Sequence, residues 1–174
     1  MLPTLESDRL VLRPWRAGDA EFVLDLYSRP EVMRYLGRNP VVMADLDEAR
    51  ERLAGWMAFD GPLHGVWAIV PHGSSRPVGT MLLKLIPRTD QAPATETEIG
   101  WHLHPDAWGR GYATEAGYRL LEHAWAGGLT TVLAVTYPEN LVSQAVCRRL
   151  GMTWLGSTRE YYDLNTELFR IDAP

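Results

Sequence analysis

His104-Pro105-Asp106-Ala107-Trp108-Gly109-Arg110-Gly111-Tyr112-Ala113-Thr114-Glu115-Ala116 leaves a strand, turns through two closely spaced glycines and enters a helix. Upstream, Ile99, Trp101 and Leu103 alternate with Glu98, Gly100 and His102, the period of a strand over Thr97–Leu103. Downstream, Ala113, Ala116, Leu120, Leu121 and Ala124 share helical register over Tyr112–Ala126, and Gly127-Gly128 stop the helix. Two readings of the junction are open. The glycines satisfy a tight strand–helix turn, or they let an anion approach the backbone. The first N–H groups of a helix lack internal partners, and with the helix dipole they suit a pyrophosphate. There is no Gly-Lys-Ser/Thr of a P-loop, and Thr114 stands where a dinucleotide fingerprint needs Gly or Ala.

Nearer the N-terminus, residues 9–15 predict a strand, and Asp19 an N-cap for a helix over Ala20–Ser28. A short helical turn over Glu31–Leu36 comes next. Asp45 and Glu48 have capping-box spacing ahead of an apolar stripe over 46–58. Val66–Val70 and Val78–Ile86 read as strands joined by a turn, and 87–95 as a polar loop. Thr131–Tyr137 is a buried strand. Asn140 caps a helix with Val142, Ala145, Val146 and Leu150 inward, closed by Gly151. Strands at about Thr153–Tyr162 and Glu167–Ile171 flank a hairpin turn at Asp163-Leu164-Asn165. Adjacent strands predict antiparallel pairing, and strand–helix–strand over 97–137 predicts one parallel crossover. The expected fold is α/β (α+β), a mixed sheet with helices on its faces.

At 174 residues, 46% hydrophobic and 22% charged, the chain suits one globular domain over 1–174 and excludes disorder. A domain of this size buries roughly 70% of its unfolded surface. No apolar run reaches the ~18 residues of a membrane span, and no secretion leader is visible at the N-terminus. The single cysteine, Cys147, suits a reducing cytoplasm. A net charge of −5 argues against nucleic acid as a partner. Of 17 cationic residues only Lys84 is lysine, a bias read as genome composition.

Trp108-Gly109-Arg110-Gly111-Tyr112-Ala113-Thr114-Glu115-Ala116, preceded by Glu98-Ile99-Gly100-Trp101 and followed by Asn140-x-x-Ser143 and Leu150-Gly151-Met152, resembles the GNAT superfamily of N-acetyltransferases. The opening Leu5-Glu6-Ser7-Asp8-Arg9-Leu10-Val11-Leu12-Arg13 is similar to the branch of RimJ/RimL-type ribosomal-protein N-terminal acetyltransferases. The resemblance implies a mixed, mostly antiparallel sheet of about seven strands, helices on both faces and a splayed central strand pair. It implies acetyl-CoA as cosubstrate, no metal, and a monomer or homodimer. The acceptor would be a protein N-terminal α-amino group or a small amine such as an antibiotic, polyamine or amino acid. A non-catalytic acyl-CoA-binding module is the alternative of a different class.

Residue by residue, the resemblance assigns the coenzyme pyrophosphate to Trp108, Gly109, Arg110, Gly111, Tyr112 and Ala113, with Thr114 one step into the helix. Trp108 departs from the general Arg/Gln of the family but agrees with the RimJ/RimL-like branch. Trp101, His102 and Leu103 would pair their backbone with the pantetheine, and an N–H there would polarise the thioester carbonyl. Glu98 matches a catalytic glutamate; read by itself, it is equally a solvated residue at a strand end. Asn140 would contact the coenzyme arm, and Ser143 would act as general acid; both are also ordinary at a helix start. The tyrosine that many family members use four residues before the closing glycine is Cys147 here. A water or another tyrosine therefore stands beside Ser143 as general acid. His102-x-His104 lacks the further ligands of a metal site, Cys147 reads as a small hydrophobe, and Asp90, Glu96 and Glu98 put negative charge near the 87–96 loop.

Overall fold

The computed structural model describes residues 1–59 and 61–174. The strands are β1 Leu5–Glu6, β2 Leu10–Pro14, β3 Gly65–Pro71, β4 Gly79–Leu85, β5 Thr97–Leu103, β6 Thr131–Thr136, β7 Thr153–Thr158 and β8 Thr166–Asp172. The helices are α1 Ala20–Tyr27, α2 Pro30–Met33, α3 Leu46–Met57, α4 Tyr112–Ala126 and α5 Leu141–Arg149. One sheet runs in the order β1-β2-β3-β4-β5-β6-β8-β7. The strand beyond the expected seven is β1, two residues paired with Leu12 and Val11 and too short to show an alternation.

The sheet is buried on both faces, and β3 shows why. Trp67 and Ile69 join Ala116, Leu120 and Val146 in a core under α4 and α5. Val66, Ala68 and Val70 join Val23, Leu26 and Leu53 under α1 and α3. Successive side chains on a strand point to opposite faces, so an unbroken apolar run is what a strand covered on both sides requires.

All pairings are antiparallel except β5–β6, the ends of the crossover through α4. That pair has one register contact, Glu98 with Leu133. Beyond it the strands part, and the β6-facing edge of β5 is left open.

Three local expectations are corrected. Asp19 places no side-chain bond on α1; its carboxylate takes both Arg13 Nη1 and Nη2 at 2.8 Å, because a buried guanidinium needs a partner more than a helix end does. Val142 is 78% exposed, while Gln144, Val146, Cys147 and Leu150 face inward. The Gln144 amide sets that phase by donating to the Pro138 carbonyl at 2.9 Å. The strand expected to reach Tyr162 ends at Thr158, and Tyr162 and Asp163 turn at φ 58° and 55°.

Candidate active site

The open side of β5 is the wall of a cavity of about 270 Å³, closed opposite by residues of β6, α5 and the 159–165 turn. Glu98, Trp101, His102, Asn140 and Ser143, all singled out in the sequence, line it. Leu103 and Trp108–Thr114 do not; they lie at and past the C-terminal end of β5, leading into α4.

Glu98 is only 5% exposed, so it is not a solvated strand-end residue. It is the cross-strand partner of Lys84 on β4, and the ammonium lies 3.4 Å from its carboxylate. The Tyr162 hydroxyl donates to the same carboxylate oxygen. Burial pushes the Glu98 pKa from 4.5 up to about 7, against the opposing pull of Lys84. A carboxyl poised near neutrality in a cleft can exchange a proton with a bound amine.

His102 shares the strand face of Glu98 and Gly100 and meets α1. Its Nδ1 lies 2.8 Å from the Tyr27 hydroxyl, which donates to Thr80 Oγ1 at 3.0 Å. Burial, reinforced by the charges of Arg52 and Lys84, drops the His102 pKa to about 4, so the imidazole stays neutral. The family resemblance assigned only the His102 backbone to the pantetheine, and the ring points into the α1 layer, towards Tyr27. Among the described residues, no three His, Cys, Asp or Glu side chains gather as a metal site.

At the start of α4, Gly111 occupies the N-cap at φ 77° with no side-chain cap. The N–H groups of Tyr112, Ala113 and Thr114 thus have no acceptor among the described residues. Gly109 also has a left-handed φ of 72°, and an added Cβ there would meet nothing within 4 Å. The junction therefore keeps both the turn and the open donors that the sequence left as alternatives. Trp108 is half exposed, and its indole N–H donates to the Leu103 carbonyl at 2.9 Å, tying the turn to β5.

The opening segment braces this turn. Glu115 accepts from Ser7 Oγ and Arg9 N at 2.7 Å each and from Arg9 Nε at 2.6 Å. Burial raises its pKa, but these bonds outweigh it and hold the carboxyl below its ordinary value. Arg9 Nη1 also donates to the Arg110 carbonyl at 3.0 Å.

On the far wall, Asn140 Oδ1 accepts from Ser143 N at 3.2 Å, the expected cap, and Ser143 borders the cavity. Cys147 is fully buried, and burial pushes its thiol up to about 12, which leaves it inert. The negative charge expected near the 87–96 loop is locally matched. Arg88 binds Asp90 at 3.0 Å and lies 3.7 Å from Glu96.

A sequence profile of the acetyltransferase (GNAT) domain matches residues 9–153. The chain belongs to the GNAT acetyltransferase family and is an N-acetyltransferase. It is 27% identical over 181 residues to the uncharacterised N-acetyltransferase YoaA of Bacillus subtilis, covering 100% of this chain and 99% of the relative. It is 30% identical to the FsC-acetyl coenzyme A-N(2)-transacetylase of Aspergillus fumigatus, covering 92% of this chain and 69% of that one. An acetyltransferase structure from Agrobacterium tumefaciens superposes with a TM-score of 0.80 at 28% identity, over 99% of this chain and 96% of that one. The ribosomal L7/L12 alpha-N-protein acetyltransferase RimL shares the fold, with a TM-score of 0.77 at 17% identity over 98% of both chains.

Lys84 and Tyr162 were not among the expected site residues. Lys84 carried a signal, as the one lysine among sixteen arginines, but only the β4–β5 register gives it a partner. Tyr162 carried none, because its approach depends on two successive left-handed residues.

Proposed function

We propose that this chain transfers the acetyl group of acetyl-CoA to a protein N-terminal α-amino group, acting as one domain over residues 1–174. The observation that carries the reading is Glu98, a buried carboxyl with a pKa near 7 on the strand edge where β5 and β6 part. The N–H groups of Tyr112, Ala113 and Thr114, opened to ligand by Gly109 and Gly111, would take the pyrophosphate, with Trp108 and Arg110 framing the turn. Trp101, His102 and Leu103 would offer their open backbone edge to the pantetheine arm, and an N–H of that edge would hold the thioester carbonyl. Asn140 would border the arm from the far wall.

The amine attacks the thioester carbon directly; the C–N bond forms and the C–S bond breaks. Glu98 takes the proton the amine must lose, and the Ser143 hydroxyl hydrogen-bonds or protonates the departing thiolate. An α-amino group has a pKa of about 7.7–8.0, so a base with a pKa near 7 is matched to it. The likeness of the opening segment to the RimJ/RimL-type branch supports a protein N-terminus as acceptor, in the cytoplasm. The name of the Aspergillus relative, an N(2)-transacetylase, favours a second reading in which the acceptor is a small amine.

Incubation with acetyl-CoA and a panel of peptides and small amines, read by thiol release and mass spectrometry, separates these. Acetylated peptide N-termini are expected. Product on small amines alone would shift the function to the second reading. Acetyl-CoA binding without thiol release from any amine would make the chain a coenzyme-binding module.

A further inference from the structure

Among the described residues, charge around the cleft is matched with one exception. Lys84 is paired with Glu98, and at the rim Arg38 is paired with Asp163. Arg52, on α3, also lines the cleft, yet no carboxylate lies within ion-pair distance of it among the described residues. Arg50, two residues before it, is satisfied by Asp47 at 2.7 Å. Arg52 instead lies over the Tyr27 ring, 4.6 Å from its centroid, beside the Tyr27–His102 contact. A guanidinium held over an aromatic face by the cation–π attraction keeps donors free to take a carboxylate.

We propose that Arg52 reads an acidic side chain at the third or fourth residue of the acceptor peptide. The assignment rests on a protein N-terminus as the acceptor, whose later residues must lie along the cleft. Glu98, where the amine is to be deprotonated, and His102, beside Arg52, are four residues apart on one strand face, roughly 13 Å at ~3.3 Å per residue. An extended peptide advances at most ~3.3–3.6 Å per residue. About four residues span that distance, so with its N-terminal nitrogen at Glu98 the third or fourth side chain comes within reach of Arg52. The neutral state of His102 leaves Arg52 and Lys84 as the cations of this wall, and Lys84 is already taken. A basic peptide or a polyamine meets an unmatched positive charge there.

The test uses peptides that differ only in residues three and four, as Asp/Glu, Gln or Lys. Wild type and the variants Arg52→Gln and Arg52→Glu are compared, each checked for acetyl-CoA affinity by calorimetry. In the wild type, kcat/KM for the acidic peptide should exceed that for the Gln peptide roughly tenfold, the size of one charge-assisted contact. Arg52→Gln should erase the ratio, through KM, and Arg52→Glu should invert it toward the Lys peptide. Equal turnover of all peptides by the wild type, or a preference that survives Arg52→Gln, overturns the assignment and leaves the acetyltransferase reading intact. Absence of turnover on every peptide, with acetyl-CoA bound, refutes both.

Discussion

Glu98 sits in a site whose parts pull its ionisation in opposite directions, and that opposition can be measured. Its folded pKa of about 7 lies above the ordinary 4.5 because burial disfavours the charged form. Between those values the native state holds more protons than the unfolded state, so stability falls as pH rises through this window. Above pH 7 the full penalty applies, up to about 3 kcal/mol for a shift of this order. Glu98→Gln should therefore be more stable than wild type at pH 8, with the gap closing below pH 4.5; urea unfolding at both pH values checks it. Lys84 acts the other way. Removing its ammonium in Lys84→Met should push the Glu98 pKa higher and move the acidic limb of the kcat/KM profile toward alkaline pH, whereas Lys84→Arg should move it less. At this scale family resemblance singled out Glu98 and Ser143, on a legible strand alternation and a legible helix start, and both line the cleft. The sequence concealed Lys84 and Tyr162, because a strand register and a left-handed turn arise from pairing between distant segments.

At the scale of elements, β5 and α4 have the bounds that their periodicities predict, since each carries its own stop signal in Pro105 or Gly127. The turn between them can be probed without disturbing either. An added methyl at Gly109 meets no protein atom within 4 Å, and its left-handed φ of 72° makes the residue costly to replace. Gly128, at the other end of α4, has φ 89° and equally open surroundings. Gly109→Ala and Gly128→Ala should lose similar thermal stability, about 1–2 kcal/mol of backbone strain each. Only Gly109→Ala should also weaken acetyl-CoA binding in calorimetry. Equal affinities would leave the turn as a turn alone. The hairpin of β7 and β8 was also legible, but not which strand lies inside. β8 supplies the buried Phe169 and packs beside β6, while β7 takes the edge with Trp154 and Leu155 more than half exposed.

Across the whole molecule, the sheet divides two helical layers, and both contribute to one cleft. α1 and α3 bring Tyr27 and Arg52 to His102, α5 brings Ser143, and the turn after β7 brings Tyr162. The parallel crossover was readable as strand–helix–strand, but the parting of β5 from β6 after one register pair was expected only from family resemblance. Among the described residues no helix is long and apolar enough to cross a membrane. At that parting, Glu98 is proposed to take the proton of the acceptor amine. The pH profile of kcat/KM for an N-terminal peptide, in wild type and Glu98→Gln, tests it most directly. Wild type should show an inflection near pH 7 besides that of the amine. The variant should lose this inflection together with about 10²–10⁴-fold of rate, and recover part of the rate as the amine deprotonates unaided. A variant with the wild-type profile and rate would remove Glu98 from proton transfer.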